Sequence, residues 1–333
     1  MRRLLLFLLL LLVLGAALAG AAAWWSQQPL ALQGQRVEFD LPRGTSVRGA
    51  AKRIEAAGVK VPAEWLHLYF RWAGRKQTIK SGEYEVSQGT TPAGLLRKLV
   101  RGEHIVRTVT LVEGWTFEQV RSALARADRL VQRTADLSNA EIMSALGQAG
   151  VNPEGRFFPD TYHYTSDTSD LDVLRQAMNA MSQKLSAAWQ QRQPDLPLHS
   201  PEEALILASI VEKETGLAAD RAEIAGVFVN RLRRDMPLQT DPTVIYGVGK
   251  SFDGRLTRSQ LRADTPYNTY TRKGLPPTPI ALPGQAALVA VVQPAQTRSL
   301  YFVSRGDGSS HFSTTLNEHN RAVNKYQRGK GAQ

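Results

Sequence analysis

Two glutamates close an apolar stretch: Ala204-Leu205-Ile206-Leu207-Ala208-Ser209-Ile210-Val211 runs directly into Glu212-Lys213-Glu214-Thr215-Gly216. A carboxylate at the end of a buried helix is partly desolvated, which disfavours its charged form, raises its pKa and lets it hold a proton near neutral pH, as a general acid must. Positions 212 and 214 lie about 200° apart around a helix axis, so the two cannot both face one cleft. Spacing does not choose between them. Glu212 continues a stripe through Leu205 and Ala208, Glu214 one through Leu207 and Ile210, and both equally suit a solvated helix end.

Other polar groups follow. Gln239, Thr240 and Asp241 precede Pro242 in a polar turn that suits the lining of a sugar-binding cleft, although Asp before Pro also simply initiates turns. Tyr267, Asn268 and Tyr270 offer stacking rings and an amide, the groups sugars use, in a Pro/Thr-rich loop that the same side chains would pack. His311 and His319 lack zinc-helix spacing, and without Cys or an HExxH pattern neither a metal site nor a cofactor is expected. Gly249-Lys250-Ser251 ends like a phosphate loop, but Val244 stands where the earlier glycine belongs. There is no Ser-x-x-Lys or Gly-x-Ser-x-Gly, so serine acylation is not expected.

The element that must carry Glu212 starts clearly. Ser200-Pro201-Glu202-Glu203 supplies a capping serine, proline at the first helical position and glutamate three residues after the cap. The following residues are apolar on almost every face, which places the helix in a core. Upstream, Arg36 to Leu41 alternates as a strand, and Thr45 or Ser46 caps a helix running to Ala57. A second helical pattern covers Trp65 to Trp72, Gly82 to Val86 reads as extended, and Thr91-Pro92 opens a helix ending near Gly102. Val106 to Val112 reads as a strand, Glu113-Gly114 turns, and Thr116 begins a helix. Residues 36 to 125 thus form small α+β modules, and nothing in them looks catalytic.

At the N-terminus, Leu4 to Ala23 contains no charged residue and is about 20 residues long, enough to span a bilayer. Trp24 and Trp25 fall where an aromatic belt is expected, and Arg2 and Arg3 orient the N-terminus to the cytoplasm. Ala17-Leu18-Ala19 resembles a signal-peptidase site, but the apolar stretch continues past it, so an anchor is the preferred reading. Either way the body is exported. Residues 26–35 read as a linker.

With 41 Lys+Arg against 30 Asp+Glu the net charge is +11, which favours a polyanionic neighbour. There is no run of five basic residues and no zinc-finger spacing, so nucleic acid is not expected. The absence of cysteine excludes disulfides and a thiol nucleophile.

Several motifs occur together and in order: FFPDTY (157–162), ASIVEKET (208–215), VFVNRL (227–232), LQTDPTVIYG (238–247), TPYNTY (265–270), GLPPTPI (274–280) and YFVSRGDGSSHF (301–312). In these the chain resembles the YceG family of endolytic murein transglycosylases, strongly over about residues 150–325. The modules before them resemble that family's LysM-like portion more loosely. Thr278 departs from the pattern, which commonly has glycine there. The resemblance implies that Glu212 is catalytic, leaving Glu214 a supporting role beside Gln239, Thr240, Asp241, Tyr267, Asn268 and Tyr270 as substrate-binding candidates.

The implied fold class is α+β: a transmembrane helix within 1–25, a linker over 26–35, a LysM-like α+β region over 36–150 and a mixed α+β catalytic domain over 151–333. The implied activity is cleavage of the bond between N-acetylmuramic acid and N-acetylglucosamine in nascent peptidoglycan strands. The product ends are 1,6-anhydro, formed without water by attack of the muramyl C6 hydroxyl, and strand elongation stops. The implied setting is single-pass in the inner membrane with the body in the periplasm. The implied partners are glycan strands, penicillin-binding proteins and other cell-wall synthesis proteins. Two alternatives stand beside it: a hydrolase of the same bond using Asp241 or Glu214 to activate water, and a non-catalytic glycan-binding scaffold for cell-wall synthases.

Overall fold

The computed structural model describes residues 2–74 and 77–328; expectations that fall on Met1 and on 329–333 lie outside them. Two compact units emerge, one of Met1–Arg107 with His163–Asp167, the other of Thr108–Tyr162 with Thr168–Gln333.

The first unit opens with helix α1 (Arg2–Ser26). It is the one helix among the described residues long and apolar enough to cross a membrane, and its leucines are exposed. Residues 26–35 then run along the unit: Leu30 is buried, and its N–H donates to the Thr90 carbonyl. Strand β1 (Arg36–Leu41) turns Val37, Phe39 and Leu41 inward, as its alternation requires. Helices α2 (Val47–Ala56) and α3 (Ala63–Ala73) follow, then β2 (Gly82–Ser87), antiparallel to β1 with Phe39 opposite Tyr84. Helix α4 (Pro92–Arg101) is capped by Thr91, whose hydroxyl accepts from the Gly94 N–H, and it ends at Gly102 in the left-handed conformation. Ile54, Leu66, Phe70, Tyr84, Leu95 and Leu99 close the core.

The second unit begins within strand β3 (Arg107–Thr110), which is shorter than the Val106–Val112 its pattern predicts: Val106 and Val112 are exposed, and only the middle of the run finds a strand partner. Helices α5 (Phe117–Ala125) and α6 (Asn139–Ala145) come next, then β4 (Thr161–Tyr164), the strand that pairs with β3. Four helices build the core: α7 (Asp170–Gln190), α8 (Pro201–Glu214), α9 (Ala218–Arg233) and, after α10 (Asp241–Val248) and α11 (Arg258–Arg262), α12 (Gln285–Val292). The antiparallel pair β5 (Tyr301–Ser304) and β6 (Ser310–Ser313) and helix α13 (Leu316–Val323) complete it.

Helix α8 is the centre of this unit. Every residue from Ala204 to Val211 is buried, enclosed by α7, α9, α10 and α12. Such a helix is apolar all round because no face of it meets water. Beside it, α9 passes close to the chain at Ala295, where Gly226 leaves no room: a Cβ would stand 2.7 Å from the Ala295 carbonyl oxygen and 2.8 Å from a Thr297 methyl. Gly226→Ala is therefore expected to destabilise the protein by about 1–3 kcal/mol through overpacking, despite the better helix propensity of alanine, as thermal unfolding of the two forms would register.

Candidate active site

Helix α8 is fixed at both ends. Ser200 caps its start, accepting from the Glu203 N–H at 3.2 Å, and Glu203 in turn accepts from the His199 N–H. Near its C-terminus the buried Ser209 hydroxyl accepts the Ile280 N–H at 3.0 Å, tying the GLPPTPI loop to the helix. One turn on, the Gly284 N–H donates to Glu212 Oε2 at 2.8 Å. Among the described residues the other Glu212 oxygen accepts no hydrogen bond. Burial is the main cause that raises the Glu212 pKa, and the charge of Glu113 adds to it; the Gly284 N–H, Arg221 and Lys213 pull the other way.

Glu113 belongs to the VEGWT turn, in the stretch whose sequence shows no chemistry. The fold nonetheless brings it beside the end of α8. The Gly114 N–H donates to the Leu282 carbonyl at 2.8 Å and the Leu282 N–H to the Trp115 carbonyl at 2.7 Å, so the turn is zipped onto the chain just before Gly284. Lys213 Nζ also donates to the Gly114 carbonyl. The Glu113 carboxylate then lies over Gly284 so closely that any Cβ there would collide with it. With Glu212 hydrogen-bonded to the same glycine, backbone dimensions keep the nearest oxygens of the two carboxylates within about 7 Å of each other. Arg221 completes the group, its buried Nε without a hydrogen-bond partner among the described residues.

Glu214 points to a different set of partners, as its position on the helix requires. It accepts from the Thr240 hydroxyl. Burial pushes its pKa up to about 7, with Asp241 raising it further while the Thr240 hydroxyl and Arg231 oppose. Arg231 donates to the carbonyls of Leu300 at 2.7 Å and Leu238 at 2.9 Å and to Gln239 Oε1 at 3.3 Å. Tyr270 donates to Asp241 Oδ1 at 2.6 Å. Glu214, Arg231, Gln239, Asp241, Tyr270 and His319 contribute to the lining of a cleft of about 610 Å³.

The remaining candidates, Thr240, Asn268 and Tyr267, have their polar groups engaged within the protein. Thr240 and Asn268 are buried. The Asn268 amide donates to the carbonyls of Gln260, Leu261 and Ala263, and its oxygen accepts the Tyr270 N–H, so its hydrogen-bonding groups fold the TPYNTY loop. Tyr267 packs edge-on against Tyr246 and shares a 2.8 Å hydrogen bond with the hydroxyl of Thr278, the residue that departs from the family pattern.

Glu154 is a further group that sequence reasoning missed. It lies in a cleft of about 820 Å³ formed with Phe117, Asn139, Tyr246 and Lys250. It accepts from the Phe117 N–H at 2.9 Å and the Tyr246 hydroxyl at 3.2 Å, and burial raises its pKa to about 7. Its only sequence signal is the turn Asn152-Pro153-Glu154-Gly155, which looks like any exposed loop.

The sequence pattern of the YceG-like family matches residues 39–325. A protein of Bacillus subtilis strain 168 named endolytic murein transglycosylase is 30% identical over 314 residues, covering 87% of this chain and 84% of that protein. One of the same name from Streptococcus pneumoniae strain D39 is 27% identical over 328 residues, covering 88% of this chain and 59% of that longer protein. The crystal structure of a YceG-like protein from Listeria monocytogenes superposes with a TM-score of 0.53 at 28% identity, covering 86% of this chain and 98% of that one.

Proposed function

The chain belongs to the YceG-like family, and on that premise we propose that it is a lytic transglycosylase that cuts peptidoglycan glycan strands internally, with Glu212 as acid and then base. The observation that carries the reading is Glu212 itself: a half-buried carboxylate of raised pKa, one oxygen anchored by the Gly284 N–H and the other open. The anchored oxygen is stabilised as an acceptor, so the proton sits on the open one.

Delivered to the glycosidic oxygen, that proton lets the bond to the muramyl C1 break, leaving oxocarbenium character on the ring. The ionised Glu212 then takes the proton of the ring's own C6 hydroxyl, and O6 closes on C1. The proton balance returns to its start, and the tethered hydroxyl has the proximity advantage of an internal nucleophile. The polar cleft of Glu214, Gln239, Asp241 and Tyr270 holds neighbouring sugars in this reading. Helix α1 anchors the chain with its N-terminus in the cytoplasm and its body in the periplasm, close to strands as synthases and penicillin-binding proteins extend them.

One observation favours a second reading. A glycosidase that hydrolyses the bond works with a pair of carboxylates in one cleft, and Glu113 lies within about 7 Å of Glu212. Asp241 and Glu214 are engaged with Tyr270 and Thr240 instead. Digesting purified sacculi with the full chain in oxygen-18 water separates the readings: the transglycosylase leaves no heavy oxygen at the new muramyl ends, whereas a hydrolase labels each one.

The same pair gives a pH prediction. Glu113 helps to raise the Glu212 pKa, so Glu113→Gln lowers it, and less of the acid form survives at neutral pH. The alkaline limb of kcat/KM against pH is expected to move to lower pH, with anhydro products retained; a hydrolase would lose its base and its activity.

A further inference from the structure

Helix α3 has two apolar faces. Ala63, Leu66 and Phe70 point into the first unit's core. Trp65, Leu68 and Trp72 lie on the opposite side, at spacings of three and four residues that keep them within about 60° of one another around the axis. They are 59%, 65% and 58% exposed. Three large side chains in one stripe are not scattered surface residues, and apart from an edge contact to Trp65 nothing among the described residues covers them.

The stripe's neighbour says what does. Trp25, at the end of α1, packs edge-on against Trp65 with ring centroids 6.1 Å apart and against Tyr69 at 5.8 Å. The preceding Trp24 is 68% exposed. Helix α1 is 25 residues long, about 37 Å, against a hydrocarbon core of about 30 Å, so its terminal tryptophans reach the membrane–water boundary. The ring contacts bring α3 to that same level. No slack separates the two, because Trp25 packs into the unit's core and Ser26 is itself buried.

We infer that the outer face of α3 lies in the surface of the bilayer that α1 crosses, with Trp24, Trp65, Leu68 and Trp72 forming one membrane-embedded patch. An amphipathic helix in this position lies in the plane of the interface, where tryptophan rings match the headgroup region. Arg71, exposed at the flank of the stripe, is placed to extend its guanidinium to the phosphates. The consequence is a first unit held against the membrane at two points, so it does not swing freely on α1.

The inference rests on α1 being retained as a membrane span, and the test separates the two claims. The chain has no cysteine, so Leu68→Cys, Trp72→Cys, Leu11→Cys and Asp253→Cys each give one labelling site in the full chain. Each is coupled to an environment-sensitive fluorophore and reconstituted into phosphatidylethanolamine/phosphatidylglycerol vesicles, with or without lipids carrying a nitroxide near the headgroup or deep in the acyl chain. We expect shallow nitroxides to quench labels at 68 and 72 several-fold more than the label at 253, and deep nitroxides to quench the label at 11. A label at 11 buried in lipid with labels at 68 and 72 left in water overturns the surface and spares the span. Shielding at 68 and 72 without lipid quenching means a protein partner and also overturns it. A label at 11 outside the lipid removes the span on which both depend.

Discussion

Glu212→Gln is expected to lower strand cleavage by about 10³- to 10⁴-fold, the scale of a lost general acid and base, while leaving the protein folded. Glutamine keeps an acceptor for the Gly284 N–H but can neither release nor take a proton. Glu212 has a folded pKa raised above the ordinary carboxylate value of 4.5, so the folded state binds the proton more tightly than the unfolded one. Stability therefore falls as pH rises through the window from that value to the folded pKa. Glu212→Gln removes the penalty: it should match the wild type below that window and be at least as resistant to unfolding above it. Urea titrations at low and high pH, beside a cleavage assay, would show loss of activity without loss of structure. Preserved cleavage in a folded variant would remove Glu212 from the chemistry.

The second large effect falls on stability. Arg231 is buried, and its guanidinium bonds the carbonyls of Leu300, Leu238 and Pro237 while its charge opposes the rise in the Glu214 pKa. Arg231→Ala strands these acceptors, opens a void between α9 and the chain leading into β5, and leaves Glu214 more firmly protonated. The combined loss is expected to reach about 3–5 kcal/mol, which at this unit's size lowers the melting temperature by roughly 10 °C. A loss of activity with unchanged melting would instead make Arg231 a substrate-binding group.

Much of the scaffold was legible because its signals are local. The Ser200-Pro201-Glu202-Glu203 start of α8 reads directly from capping chemistry, and the apolar run after it marks a helix with no solvent face. Of the two candidate caps Thr45 and Ser46, Ser46 caps α2, and the predicted helix starts at Thr91 and Thr116 coincide with the caps of α4 and α5. Burial at the end of α8, and hence the raised Glu212 pKa, follows from the same run. What local pattern could not give is the choice between Glu212 and Glu214, since each continues an equally apolar stripe. That choice rests on family resemblance, while the structure adds what surrounds each.

Contacts distant in sequence were not legible at all. Glu113 reaches Gly284 across more than half of the chain, through a backbone zipper whose members carry no distinctive side chain. Gly284 looks like a helix-start glycine, yet its missing Cβ is what admits Glu113 beside Glu212. Asn268 reads as a sugar-binding amide because asparagine in a Tyr-rich loop suits that role, but its groups bond the backbone of its own loop. The stripe on α3 was visible as helical periodicity; that Trp65 meets the end of α1 required the fold.

Strand cleavage by Glu212 is tested by mass spectrometry of the ends released from purified peptidoglycan by the full chain, run beside Glu212→Gln. Internal cuts with 1,6-anhydro-muramyl ends are expected from the wild type and none from the variant. Reducing ends from the wild type, or anhydro ends at an undiminished rate from the variant, would contradict this expectation.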